Sequence, residues 1–128
     1  FKTHDYDPGE GAVEAPFIFR KGGFYYLFIS LDYCCRGANS TYKVTVGRSA
    51  TIDGPYFDQQ GIRLDQGGGT LVVAGDKYYA GVGHNAAYTF DGKDYLVFHA
   101  YDIAQQGKPK LKIKEIIWTN GWPTVMME

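Results

Sequence analysis

The apolar positions of this chain fall in short runs separated by glycine-rich breaks. Residues 16–20 and 24–31 are apolar and rich in β-formers, and they are joined across "RKGG", which predicts a β-hairpin with glycines at its turn. Residues 86–90 and 94–101 repeat the pattern across "DGKD". A third candidate strand follows each hairpin, "YKVTVGRSA" and then "LKIKEIIWT", and each is followed by a turn, "DGPY" at 53–56 and "NGWP" at 120–123. A weaker run, "GIRLD", is expected as the fourth strand of the first unit, with "GTLVVAGDKYYAG" leading into the second. Apolar spacing at a period of 3.6 is absent, so strands rather than helices are expected throughout.

The two units align on each other. Gly22 matches Gly92, Tyr25 matches Tyr95, Phe28 matches Phe98 and Asp32 matches Asp102, each pair 70 positions apart. Self-similarity at a fixed period predicts an array of like units. Three to four antiparallel strands in about 70 residues is the size of a generous β-propeller blade. The fold class expected is therefore all-β: one partial propeller domain over residues 1–128, with blade-like repeats at about 11–66 and 67–125. Propellers close with four to eight blades, so two blades leave open edges and half a core, and the chain is expected to be part of something larger. A compact two-sheet sandwich is the competing reading of the same strands.

Length and composition narrow the picture. At 128 residues the chain can form one modest core. Its 11 Tyr, 8 Phe, 2 Trp and 17 Gly favour short strands and tight turns, and aromatic surfaces also suit sugar stacking. A net charge of −1 with no run of like charges argues against nucleic acid and anionic membrane as partners. No stretch approaches the roughly 20 apolar residues of a membrane helix, and "FKTHDYDPGEG" has no apolar signal-peptide centre. The two cysteines, Cys34 and Cys35, are adjacent and cannot staple distant segments; a vicinal disulfide, two thiols and a bridge to another chain all stay open.

Candidate chemistry follows from the repeat. At the spacing of 70, Glu14 falls on His84, so each unit places an ionisable residue just before its first strand, where propeller blades converge on one channel mouth. The loop after the second strand, "LDYCCRGANSTY", returns to that mouth and offers Asp32, Cys34, Cys35, Arg36, Asn39, Ser40 and Tyr42 as hydrogen-bonding and stacking groups for a polar substrate. Each has a plainer reading: Glu14 as an exposed strand-end residue, His84 as a structural histidine, Asp32 as a turn cap, Arg36 as a solvated charge.

The segments "AVEAPFIFRKGGFYYLFIS", "DYCCRGANSTYKVTVGRSATIDGPYFD", "GGGT", "GVGHN" and "IIWTNGWP" resemble the second half of the five-bladed propeller arabinanases of glycoside hydrolase family 43, from about Gly11 to Pro123. The resemblance implies an inverting, extracellular or periplasmic hydrolase of α-1,5-linked L-arabinofuranose chains. Such enzymes use a general base Asp, a second Asp that tunes and orients the acid, and a general acid Glu. It implies Glu14 as the acid, with the apolar strand start raising its pKa. It implies Asp32, Cys34, Cys35, Arg36 and Ser40 near the sugar, and His84 beside an axial calcium ion. Both aspartates belong to the half that this chain does not contain. Asp7 in "YDPG", seven residues before Glu14, is a lead-in residue rather than the base. The expected partners are arabinan or arabino-oligosaccharide, and the N-terminal propeller half or another copy of this chain. A non-catalytic carbohydrate-binding or structural half-propeller that self-associates is the alternative, and related propellers that act on xylosides or release single arabinose units are a further one.

Overall fold

The computed structural model describes residues 12–127. Nine strands follow in order: β1 (Val13–Lys21), β2 (Phe24–Leu31), β3 (Lys43–Ser49), β4 (Thr70–Val73), β5 (Tyr79–Phe90), β6 (Lys93–Asp102), β7 (Lys108–Glu115), β8 (Ile117–Thr119) and β9 (Trp122–Thr124). They form an antiparallel meander β1-β2-β3-β4, a second meander β5-β6-β7 and a small ribbon β8-β9. All three tight hairpins carry positive φ at both turn residues: Gly22 and Gly23 (59° and 86°), Asp91 and Gly92 (53° and 78°), Asn120 and Gly121 (52° and 80°). Turns of this hand match the twist of the flanking strands, which is why Gly-Gly, Asp-Gly and Asn-Gly stand there.

The fourth strand of the first sheet is not where the sequence pattern put it. "GIRLD" forms a turn that ends in a single 3₁₀ turn at Leu64–Gln66, and Thr70–Val73 takes the outer position beside β3. Asp58 decides this. It is buried, and it accepts hydrogen bonds from the Gln60, Ile62 and Gly69 amides at 2.9–3.0 Å, curling residues 58–69 into a loop.

The repeat register also differs by one. Phe28 and Phe98, matched at a spacing of 70, both point into the core between the two sheets, so they stand on opposite faces of their own sheets. Blades related by rotation place counterparts on the same face. The pairings Glu14↔Ser30 and Gly83↔His99, and the turn positions Gly23 and Gly92, give a spacing of 69. A one-residue slip reverses every side chain. Its source is the first turn, whose two adjacent glycines let either one be matched to Gly92.

The core between the sheets holds Tyr26, Phe28, Val44 and Val46 from the first, and Val82, Leu96, Phe98 and Ala100 from the second. Trp122 and Val125 close it, and the Val125 amide bonds the Val72 carbonyl at 3.1 Å. Behind the first sheet a second cluster buries Leu27, Ile29 and Leu31 under Tyr56 and Leu64. The far face of the second sheet has no such cover among the described residues: Tyr88, Phe90, Leu111 and Ile113 are 60–71% exposed. One carboxylate links the pieces. Asp94 on β6 accepts from Lys21 Nζ at the end of β1, from Thr89 Oγ1 and from Trp118 Nε1 on β8.

Candidate functional site

Two β-bulges build the site. In β1 the register shifts between Glu14 and Phe17, and in β5 between Gly83 and Ala86. Each bulge holds a residue in the left-handed region, Ala15 at φ 52° and His84 at φ 53°. Such conformations are costly for residues with a Cβ and cluster where a side chain is re-aimed for function. The structural counterpart of Glu14 is therefore Gly83, and that of His84 is Ala15, which corrects the direct match of Glu14 to His84. One residue joins the two bulges. Ser30, fully buried, is the cross-strand partner of Glu14, and its Oγ accepts the His84 amide at 2.8 Å. Ala15, His84, Asn85 and His99 line one open cleft of about 490 Å³.

Glu14 is exposed, so the described part of this chain does not supply the apolar enclosure expected around it. Its Oε2 accepts a hydrogen bond from Tyr42 Oη at 2.9 Å. Tyr42 is 1% exposed and stacks on the His99 ring, centroids 5.8 Å apart and planes 8° from parallel. Gly83 is required beneath it, because a Cβ there would lie 2.2 Å from the tyrosine ring. Burial, with Glu14 beside it, pushes the Tyr42 phenol up to about 12, so it remains a donor at any ordinary pH. Burial pulls the His99 imidazole down, with His84 adding to the effect.

The loop between β2 and β3 arrives at this cluster. Cys34 and Cys35 form a vicinal disulfide, which closes the three readings left open by the sequence. The Cys35 amide donates to Tyr101 Oη at 2.8 Å, and the Tyr101 ring lies 5.3 Å from His99. A continuous series therefore runs from Glu14 through Tyr42, His99 and Tyr101 to the disulfide. The other candidates are engaged within the loop. The Ser40 hydroxyl accepts the Arg36 amide at 2.9 Å, the exposed Arg36 guanidinium lies 4.1 Å above the Tyr33 ring, and buried Asp32 pairs with Lys43 Nζ at 3.3 Å.

Residues singled out here but not by sequence reasoning are Ser30, His99, Tyr101 and Asn85. Asn85 is 4% exposed and its side-chain amide finds no partner among the described residues. A lone histidine at an alternating position of an apolar strand, "VFHAYD", was the available signal for His99.

These groups do not make up a calcium site. Calcium takes six to eight oxygen ligands, and no group of three or more His, Cys, Asp or Glu side chains that could hold a metal occurs among the described residues. His84 brings one nitrogen, and the described residues do not fit the ion by themselves. Adding calcium to this chain is expected to move its melting temperature by less than about 1 °C, since only a ligand that binds the native state stabilises it; a rise of several degrees would show a complete site.

A sequence-family model described as glycosyl hydrolases family 43 matches residues 2–123. The chain is 52% identical over 122 residues to the extracellular exo-α-(1→5)-L-arabinofuranosidase of Cellvibrio japonicus, covering 94% of this chain and 35% of that protein. It is 44% identical to the extracellular endo-α-(1→5)-L-arabinanase 1 of Bacillus subtilis, covering 89% and 34%. Among solved structures it matches the Cellvibrio cellulosa α-L-arabinanase complexed with arabinohexaose at TM-score 0.88 and 53% identity, covering 92% of this chain and 38% of that one. It also matches an endo-arabinanase of Bacillus licheniformis at TM-score 0.81 and 47% identity, covering 89% and 39%. The fold is that of the five-bladed propellers, of which this chain supplies about two blades and not a closed sandwich. The chain spans 34–35% of the length of these two curated relatives.

Proposed function

Because the chain belongs to glycosyl hydrolase family 43, we propose that it carries the general-acid side of a site that cleaves α-1,5-linked arabinofuranose chains by inversion. The observation that carries the reading is Glu14 at the re-aimed start of β1, its carboxylate exposed at the mouth of the site and held on one oxygen by a buried tyrosine hydroxyl. Glu14 protonates the departing glycosidic oxygen while a base on the other side of the sugar activates water. An inverting pair needs its carboxyl groups roughly 6.5–9.5 Å apart, to admit that water. The base comes from outside the described residues, and Asp7 lies outside them too. The vicinal disulfide, with Cys35 exposed, contributes sugar contacts. Action outside the cell fits a surviving disulfide and the extracellular relatives.

The exposed apolar face of the second sheet is where the remaining blades dock. Released products from linear arabinan, measured for this chain alone and after mixing it with the other blades, test the whole reading. The expected result is no turnover alone and turnover in the mixture, with native mass showing the joined species. Full activity of the chain alone would overturn the split between acid and base. Arabinan binding without turnover in both samples would favour the non-catalytic module instead. Placing a charge on the docking face by Ile113→Asp is expected to abolish the joined species on native mass spectrometry. The melting temperature of the chain alone should stay within about 2 °C, as for other exposed sites. Unimpaired assembly would mean that the face is not used.

A further inference from the structure

We infer that Tyr42 is a positioning residue for Glu14: its hydroxyl occupies Oε2, so that the proton delivered to the leaving oxygen is carried on Oε1. The inference rests on the reading of Glu14 as the acid and deepens it.

Glu14 sits on an exposed bulge, and a glutamate there has three side-chain torsions to settle. Among the described residues, the Tyr42 hydroxyl meets its carboxylate at hydrogen-bond distance, 2.9 Å to Oε2. A carboxyl oxygen that accepts such a bond has carbonyl character, so the proton of the acid form is placed on the other oxygen. The contact is useful only if the tyrosine cannot move, and four features hold it. It is buried. Its ring stacks on His99. It packs where only Gly83 leaves room. Its amide and that of Thr41 both donate to the Tyr33 carbonyl at 2.9 Å. The titratable groups facing the phenol are Glu14 from β1, and His99 and Tyr101 from β6, and burial keeps its own proton in place to about 12.

Two substrates separate this role from a structural one. Linear arabinan has a poor leaving group that needs protonation, whereas a nitrophenyl arabino-oligosaccharide releases a stable phenolate and needs no acid. In the enzyme assembled with its other blades, Tyr42→Phe is expected to lower kcat on arabinan on the order of 10- to 100-fold with little change in KM, and to leave the rate on the aryl substrate nearly unchanged. Glu14→Ala is run beside it. If Glu14→Ala keeps its rate on arabinan, or loses equally on both substrates, the acid assignment fails. If Glu14→Ala behaves as an acid variant while Tyr42→Phe keeps its arabinan rate, or falls equally on both substrates, the positioning role alone is overturned. Should Tyr42→Phe not fold, 3,5-difluorotyrosine at position 42 keeps the shape and makes the hydroxyl more acidic. The arabinan rate should then decline at lower pH than in the native enzyme, and an unmoved profile overturns the inference.

Discussion

Replacing Glu14 with alanine in the assembled enzyme is expected to lower kcat on linear arabinan by about 10²- to 10⁴-fold, the range that a positioned general acid contributes. The argument starts from local structure. The bulge after Glu14, with Ala15 at φ 52°, breaks the alternation of β1. The carboxylate lies next to Tyr42 and opposite Ser30, the residue that also holds the His84 bulge. A group placed in this way acts on the bond being broken more than on ground-state binding, so KM should change little while kcat falls. Steady-state kinetics on arabinan separate the two parameters. A loss confined to KM would reassign Glu14 to substrate binding, and near-native kinetics would remove it from the site.

The second large effect expected is on stability. Asp94→Ala should destabilise the chain by about 2 kcal/mol, lowering its melting temperature by roughly 8 °C. Asp94 is buried and accepts from Lys21 at 2.6 Å, Thr89 at 2.6 Å and Trp118 at 2.8 Å, which ties β1 of the first sheet and the β8-β9 ribbon to the second sheet. Truncation leaves the half-buried Trp118 N–H without an acceptor, at about 1–3 kcal/mol, whereas Thr89 is exposed and its hydroxyl returns to water. The Lys21 pair adds little, because its side chain is 44% exposed and its ammonium returns to water. The indole also packs edge-on to Tyr26 at 4.9 Å and stacks on Phe19, so loosening it spreads into the core.

The same site sets a pH dependence. Burial acts to raise the Asp94 carboxyl, but the hydrogen bonds from Lys21, Thr89 and Trp118 together bring it below the ordinary carboxylate value. A group depressed in the folded state contributes stability above its unfolded pKa, about 3.9, and that contribution is lost as pH falls through the folded value. Urea unfolding of native chain and Asp94→Ala at pH 7 and pH 3 should show the gap between them narrowing at the lower pH. A constant gap would mean that Asp94 acts through packing alone.

How much of this could be read without coordinates differs from element to element. The hairpins were legible because two-residue turns with Gly at the second position have few alternatives, and "KGGF", "DGKD" and "TNGW" stand at the observed turns. The fourth strand was not. "GIRLD" and "TLVV" are both short apolar runs, and the choice was made by the Asp58 carboxylate, whose partners lie up to 11 residues away. Glu14 and the loop carrying Cys34 and Cys35 were marked by motif, whereas Ser30, His99 and Tyr101 sit inside strands that read simply as core.

Sequence by itself determined the hairpins, their tight turns and the family, because each depends on neighbours within a few residues or on whole motifs. Tertiary structure alone decided the repeat spacing of 69, the partner of Glu14 and the linkage through Asp94. Alternation along a strand says that two faces differ, but which face is inside depends on the sheet packed against it. A hydrogen bond such as Tyr42 to Glu14 joins residues 28 positions apart, brought within reach only when β1, β2 and β3 lie side by side and Gly83 of the neighbouring sheet leaves space for the ring.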